Sequence, residues 1–600
     1  MNGNTEALPA SFSLFSIGKP GALPALACEI KSCRMKKHKT WMAIAGAVAL
    51  FALSYSVEAQ TARNPLPRII NVSGRSHISP SLSGDGKHMV FVSNYSTSGK
   101  MVLKYAQQTS PDVWTEPVEI AAINLPGKDF IGGHWLSYDG SLLFFTSSRG
   151  PSMGGYDIFF SERKGSYWTP PQNVGKPVNS EAHDGHPSLS PDGRFLYFMR
   201  CEKMDNEKQG GCELYVSEKI SDTRWGEPQK LPYPVNTGDE STPRIMPDGE
   251  TLVFASKRPG GKGGYDLYQS KLTNGQWSAP KPCDYLNSDD DDLYVSVPAH
   301  GELVFYSALF RDRHTIIKAK IPEELKPSKV AMIQGRIQET NTGKPLDGVA
   351  QVYDARTGKM DQFVKTKPDG SFFVMIKGGE VYDFSVSARE NHHVYFSKIY
   401  DLEGLEKSVI EDLDLKLKPC KTGTAFVADD ILFEPFSAIV AKESEVALLR
   451  LSKLLRDNRG AGLQIAAYLP EVRMDTVPDA DLTEIIVDTV YLPVDTMHVA
   501  DTAYMETGSA GFFFDQDSLT EFEPCADSAQ VRPLFTLRYT YHNDRTEKQA
   551  AAVRNRLIEL GVPERLVKTA EFRNLESMLD ASERQKLRPG SVVILLDQAY

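Results

Sequence analysis

HPSLSPDGRFLYFMR, His186 to Arg200, places a tight turn in front of an apolar strand. Asp192-Gly193 supplies the positive backbone dihedral of a short hairpin, and the large apolar residues that follow bury one face against a neighbour. The pattern recurs. The turn falls at Asp85-Gly86, Asp139-Gly140, Asp192-Gly193, Asp248-Gly249 and, altered, His300-Gly301, in steps of 54, 53, 56 and 52 residues. Each turn precedes an apolar strand: HMVFVS, LLFFTS, FLYFMR, TLVFAS and ELVFYS. A further strand follows a glycine-rich loop in GGYDIFFS and GGYDLYQS, and Trp114, Trp168, Trp225 and Trp277 each stand three residues before a proline. Landmarks held in phase at a period of about 54 residues mean one structural unit repeated, and four short strands per unit is the arithmetic of a β-propeller blade.

Five countable repeats predict five blades over residues 66–322; PRIINVSG (67–74) is the segment that could complete the ring, and a sixth blade stays open. The repeated tryptophan is expected between blades, with ligand stacking as its alternative role. SPSLSGDG, HPSLSPDG and TPRIMPDG resemble the TolB-type and WD-type propeller repeats. Acidic residues at equivalent loop positions in NSEAHDGHPS, NTGDESTPR and NSDDDDLYVS are expected to line one end of the ring. Asp289, Asp290, Asp291 and Asp292 are candidates for partner binding; a calcium ion or a solvated loop are the two readings of that run, which lacks EF-hand spacing. Cys201 and Cys212 flank a polar loop between two strands and predict a disulfide in an oxidising compartment.

At 600 residues the chain exceeds one ordinary core, and aromatic residues at 10% with 45 Gly and 37 Pro favour β-rich modules. The expected fold class is multidomain and mainly β: the propeller, a small β-sandwich and an α/β domain. From Met35, MKKHKTWMAIAGAVALFALSYSVEAQ has the basic start, short apolar run and small-residue end of a cleaved secretory signal ending near Ala59, so residues 1–59 are read as an N-terminal extension and signal peptide. No later run is long and apolar enough to span a bilayer, which predicts a mature chain that is soluble outside the cytoplasm.

Enzyme signatures were sought because propellers also cap some serine peptidases. No G-x-S-x-G, H-E-x-x-H, Walker loop or GxGxxG occurs, which leads to the expectation that the chain is not an enzyme. No metal or cofactor is expected, and paired Cys/His spacing for zinc is missing. A net charge of −11 without a basic stripe argues against nucleic acid.

After the proline-flanked linker IPEELKPSK, residues 330–418 alternate strands with turns at Thr342-Gly343, Thr357-Gly358, Asp369-Gly370 and Gly378-Gly379, the pattern of an antiparallel sandwich. GKPLDGVAQVYD and PDGSFFVMIKGGEVYDFSV resemble the carboxypeptidase-regulatory-like fold, which implies a spacer or interaction module. Residues 421–600 begin with strand, loop and amphipathic helix in DDILFEPFSAIVAKESEVALLRLSKLLRDNRGAGLQIAAY, with Val446, Leu448, Leu449, Leu451, Leu454 and Leu455 as its apolar positions. A second helix presents Ala550, Val553, Leu557 and Leu560, closed by Gly561 and Pro563, and SVVILL is a last strand.

ILFEPFSAIV and QAAAVRNRLIELGVPERL resemble the OmpA-like domain of Gram-negative envelopes, which grips peptidoglycan. In that family a Gly-His-Thr-Asp loop follows the second strand and an arginine opens the second helix; aspartate and arginine hold the charged ends of diaminopimelate. Here the loop falls on Ala467, Tyr468, Leu469 and Pro470, and the arginine position on Gln549. Losing two charge-assisted bonds costs about 3 to 6 kcal/mol, so the resemblance implies a kept scaffold and a lost grip, with Arg545 or Arg554 as residues that could restore part of it. Residues 471–532 form a long insertion with fourteen acidic residues against Arg473 and Arg532, as acidic as the whole chain's net −11. It is read as a partner-docking element, a solvated ornament or a cation site, with Asp488, Asp495 and Asp501 as candidate partner contacts.

Propeller, regulatory-like sandwich and OmpA-like domain in this order resemble the periplasmic accessory proteins of the type IX secretion system. The resemblance implies a periplasmic location, associated with the outer membrane, and a scaffold linking an outer-membrane secretion complex to other envelope proteins. Two alternatives stay open: a peptidoglycan anchor with altered ligands, and a TolB-like carrier of a peptide or glycan.

Overall fold

The computed structural model describes residues 63–96, 100–124, 130–205, 208–310, 312–390, 392–458, 460–491, 535–570 and 575–598. The expected signal segment, Asp495 and Asp501 lie outside them. Among the described residues no helix is long and apolar enough to cross a membrane.

The architecture is mainly β. The repeat unit is one antiparallel sheet, and five such sheets follow in succession. The first orders His77–Leu82, His88–Ser93, Val102–Ser110 and Val113–Trp114, with Val118–Glu119 beside the third strand. The last orders Val295–Ser296, Leu303–Phe310, Arg313–Lys320 and then Asn64–Pro65, so its outer strand comes from the far end of this region. Asn64 pairs with Lys318 and Pro65 with Ile317. Asn71 secures the return: its Nδ2 donates to Leu66 O at 3.0 Å and Ile316 O at 2.9 Å, and Ile316 N donates to its Oδ1 at 2.9 Å. PRIINVSG forms turns behind this closing strand and contributes no sheet strand of its own.

The sheets stack through alternate apolar residues. Leu82 and Phe91 of the first meet Phe305 and Ile316 of the last, while Val90 and Leu103 meet Leu136 and Phe145 of the second. Phe144 meets Leu196 and Phe198; Tyr197 and Leu214 meet Leu252 and Phe254; Val253 and Leu267 meet Val304 and Tyr306. Each sheet therefore packs on two neighbours and the series closes on itself, with each fully buried Phe or Leu contributing about 1.5–3 kcal/mol. Trp168 packs edge-on against Tyr105 at 6.3 Å and Trp277 against Tyr197 at 6.5 Å, in each case a residue of the preceding sheet. In the turns the aspartate is a local acceptor: Asp85 Oδ1 takes Ser83 Oγ at 2.5 Å and Lys87 N at 2.9 Å. In the altered repeat, His300 Nδ1 takes that role from Glu302 N at 3.2 Å.

The next unit is a sandwich of two sheets. In one, Val330–Glu339 lies between Ser371–Lys377 and a parallel partner, Val409–Leu417; the other orders Met360–Lys365, Gly348–Asp354, Val381–Ala388 and Phe396–Asp401. Val330, Met332 and Met375 share a core with Trp135, Tyr138 and Ala299, which seats the sandwich on the Asp-Gly end of the ring. Lys367 to Asp139 at 2.7 Å and Lys377 to Glu250 at 2.6 Å rim that seat.

The last unit has a sheet ordered Ala425–Ala428, Val592–Gln598, Ala461–Ala467 and Val567–Thr569. Helices α1 (Glu445–Asp457) and α2 (Thr546–Glu559) cover one face, where Leu448, Leu451 and Leu455 meet Val553, Leu557, Ile465 and Ile594. Leu449 is 46% exposed, unlike the other apolar positions expected on α1, because it stands 100° round from Leu448 and off the buried stripe. The short helices α3 (Leu575–Met578) and α4 (Ala581–Arg584) lie in the segment that covers the other face through Leu575 and Leu579. Between the second strand and α2 the chain leaves as a ribbon in which Glu484–Tyr491 pairs antiparallel with Phe535–His542, carrying the excursion past Arg532.

Candidate functional site

Strand Ala461–Ala467 runs into the loop Tyr468–Pro470, onto which the expected ligand motif falls. Tyr468 is fixed there: its N donates to Ser591 O at 2.9 Å, its O accepts from Gly590 N at 2.7 Å, and its hydroxyl reaches Glu576 at 2.7 Å. Two cavities flank this loop, and Pro470 and Thr546 line both. One, of about 1060 Å³, is bounded by Tyr468, Glu547, Glu576 and Arg584. The other, of about 950 Å³, opens between Phe396 and Lys398 of the sandwich and Asp429, Phe436, Arg545, Gln549 and Arg588 of the last unit.

The charged groups of the second cavity are mostly spent. Gln549 is buried and donates its amide to Ser437 O at 3.0 Å. Arg545, immediately before α2, pairs with Asp481 and Glu484, each at 3.3 Å, and donates to the Asp481 carbonyl and to Thr483 Oγ1. The insertion thus satisfies Arg545 with its own acids. Arg554 faces away from both cavities, to Glu564, Asn555 and Val567 O. Asp429 and Arg588 have no ion pair among the described residues, and burial above all pushes the Asp429 carboxyl up to about 6.

The ribbon anchored by Arg545 has two unlike faces. Ile485, Val487, Thr489 and Tyr491 stand opposite Tyr541, Tyr539, Leu537 and Phe535 on one face; Glu484, Ile486, Asp488 and Val490 stand opposite His542, Thr540, Arg538 and Thr536 on the other. The first face is open to solvent, with Val487 50%, Tyr491 66% and Phe535 60% exposed. Its second strand, FTLRYTYH, was missed from the sequence, although the alternation of Phe535, Leu537, Tyr539 and Tyr541 was there to find.

The ring's loop acids are structural. Asp184 pairs with Arg200 at 2.6 Å, Glu240 with Arg258 at 3.4 Å, and Asp292 accepts from Ser288 N and Oγ. Asp291 accepts from Tyr265 N at 2.8 Å, while Asp289 and Asp290 are exposed beside it. Cys201 and Cys212 face each other on paired strands and are disulfide-bonded.

A second constellation, not foreseen, lies where the innermost strands meet. Six residues before each turn, Ser79, Gly133, His186, Thr242 and Tyr294 have φ of 55°, 53°, 50°, 44° and 51°. For the four that are not glycine this left-handed conformation costs roughly 1–2 kcal/mol apiece. Two residues on, Ser81, Ser188 and Ser296 accept from Leu136 N, Ile245 N and Leu82 N of adjoining sheets at 2.8, 3.1 and 2.9 Å. The other two repeats carry Trp135 and Arg244 there, with the guanidinium 5.2 Å over the indole. Arg244 is 2% exposed; it donates to His134 O, Pro187 O and Pro243 O and lies 5.4 Å over Tyr294. No carboxylate pairs with it among the described residues, and burial pulls it down to about 10. His134 and His186 are held at about 3, by burial first and then by Arg244.

No family model and no curated protein matches the chain. Among solved structures, a putative TolB from Agrobacterium tumefaciens is 17% identical, covering 50% of this chain and 90% of its own, with a TM-score of 0.26. An oligogalacturonate lyase from Vibrio parahaemolyticus is 11% identical over 44% of this chain and 94% of its own, TM-score 0.28. An α-L-arabinofuranosidase from Podospora anserina is 12% identical over 44% and 97%, TM-score 0.28. At these identities the likeness goes no further than the fold. It nevertheless corrects the expectation that the chain is not an enzyme, because lyases and glycosidases stand among these neighbours. The absence of G-x-S-x-G and H-E-x-x-H bears only on chemistries with a local signature; glycosidases need two carboxylates brought together by the fold, which no motif announces.

Proposed function

We propose that the chain is a periplasmic binding scaffold of the cell envelope, joining an outer-membrane assembly of the type IX secretion kind to other envelope proteins. The observation that carries this reading is the ribbon Glu484–Tyr491/Phe535–His542, whose apolar face is exposed while its base is locked by Arg545. Open aromatic and β-branched side chains on one face of a paired ribbon are a protein-docking surface, and the acidity of the surrounding insertion selects a partner strand bearing Lys or Arg. The same lock leaves the peptidoglycan position without its arginine.

The test uses the full mature chain with purified sacculi and, separately, with synthetic extended peptides that alternate apolar residues with Lys or with Glu. The reading expects no sedimentation with sacculi, and binding of the Lys peptide that V487K/Y539K abolishes. Sedimentation of the natural chain would instead support a cell-wall anchor using altered ligands such as Asp429 and Arg588. Equal binding of both peptides, or of neither, would overturn the docking surface.

A further inference from the structure

Arg450, on α1, is the one cation among the described residues of a buried cluster that joins the sandwich to the last unit. Its Nη2 donates to Asp383 Oδ1 at 2.5 Å and its Nη1 to Asp430. Asp383 belongs to the sandwich strand Val381–Ala388; Asp430 follows strand Ala425–Ala428. Both aspartates are fully buried, and the guanidinium lies 5.3 Å over the ring of Tyr395, itself 7% exposed. Tyr395 also sits in the core beneath α1, with its ring 5.7 Å from Phe426, so the cluster is part of the seat of one unit on the other.

The charges do not balance. Two carboxylates share one guanidinium in a buried site, and Asp383 Oδ2, Asp430 Oδ1 and the Tyr395 hydroxyl each lack a hydrogen-bond partner among the described residues. Surplus charge in such a place costs more than taking up a proton, and a protonated carboxyl would also supply the donor that these acceptors lack.

We propose that Asp383, Asp430, Arg450 and Tyr395 form a proton-binding joint: the cluster holds one proton in mildly acidic surroundings, and losing it on alkalinisation loosens the sandwich from α1. Asp383 is the carboxyl that keeps the proton. Burial first, then the neighbouring Asp430 charge, push it up, against the pull of Arg450, to about 6. Arg450, Asp430 and Tyr395 are the charged and titratable groups that face it. Because its pKa in the folded chain lies above the ordinary carboxyl value, its contribution is complete at low pH and is lost as pH rises through about 6. The joint is therefore tighter at pH 5 than at pH 8, and the angle between the two units can follow ambient pH.

Hydrogen exchange of the full chain, corrected for the intrinsic rate, reads this directly in Val381–Ala388 and α1. Protection there is expected to fall ten- to a hundredfold between pH 4.5 and pH 8 in the natural chain and to stay level in D383N, whose carboxamide keeps the shape without the titration. D429N is the control, since the adjacent Asp429 is also raised, and it should keep the natural slope. A level profile in the natural chain, or the same slope in D383N, overturns the proposal. Carboxyl titration of the natural chain by carbon NMR stands if D383N fails to fold: a group titrating near 6 that D429N leaves in place supports the joint, and carboxyls all below about 4.5 sink it.

Discussion

Replacing Arg244 with Met tests whether the ring is pinned at its centre or merely tolerates a stray charge there. The side chain donates to the carbonyls of His134, Pro187 and Pro243 at 2.9, 2.9 and 3.1 Å and stacks on Trp135 and Tyr294, so it touches four of the five sheets. Three bonds from a charged donor contribute roughly 1.5–3 kcal/mol each, or about 5–9 together, and the two ring contacts about 1–4 more. Against this stands the burden of burying the cation, about 3 kcal/mol for a pKa pulled from the ordinary arginine range down to about 10. Methionine removes the burden but leaves three buried carbonyls without donors. The bonds win, and R244M should lose about 3 kcal/mol, with R244K in between because an ammonium cannot reproduce the planar fork. Since a chain of several units does not unfold in one step, the readout is hydrogen exchange at the innermost strands, including His77–Leu82 and Glu240–Ile245. Protection in R244M equal to or above that of the natural chain would refute the pin and show the buried charge to be the larger effect.

The same strands carry a paired prediction. Gly133→Ala forces a Cβ to 2.2 Å from His186 Cδ2 at a φ of 53° and should cost more than about 3 kcal/mol in thermal unfolding of the ring, whereas Thr242→Gly relieves left-handed strain and removes an unpartnered hydroxyl, for a change within about 1 kcal/mol of zero. The ring should lose stability as pH falls from about 6.5 towards 3, by up to about 1.4 kcal/mol per pH unit for each of His134 and His186, since the unfolded chain takes up protons that the buried imidazoles refuse. Denaturation of the ring followed by tryptophan fluorescence at pH 7 and pH 5 checks that slope, opposite in sign to the one expected at Asp383. C201S/C212S opens a loop of sequence separation 11 and should lower stability by about 3 kcal/mol, with the exchange change concentrated in Phe195–Asp205 and its partner strand.

The periodic part of this fold was legible because its signal is local. Asp-Gly before an apolar strand is a statement about one turn, and counting such turns counts sheets. Asn64–Pro65 was not legible: two residues, one a proline, carry no alternation, and only a partner strand far along the chain makes them a strand. The ribbon failed for the same reason in part. EIIVDTVY reads as a strand alone, but its register with FTLRYTYH depends on a return after 43 intervening residues. Arg244 is the instructive miss. Inside TPRIMPDG it looks like any exposed arginine, yet superposing the repeats puts it where three others carry serine and the second carries Trp135. At the candidate site, Pro470 and Gln549 were singled out only through a family resemblance, whereas the capture of Arg545 by Asp481 and Glu484 required three dimensions.

Closing the ring with Asn64–Pro65 has a consequence for how the chain matures. The strand made first pairs with one made some 250 residues later, so the ring stays an open arc until Lys318 has been delivered, whatever the speed at which each sheet zips up. Until then a growing chain would present the unpaired Asn64–Pro65 and the bare flank of the first sheet to any chaperone or neighbour. The latch is also the weakest link under tension: a pull on the N-terminal side of Asn64 loads a ladder of two residue pairs and the clasp of Asn71, and would open the circle before disturbing any longer strand pairing.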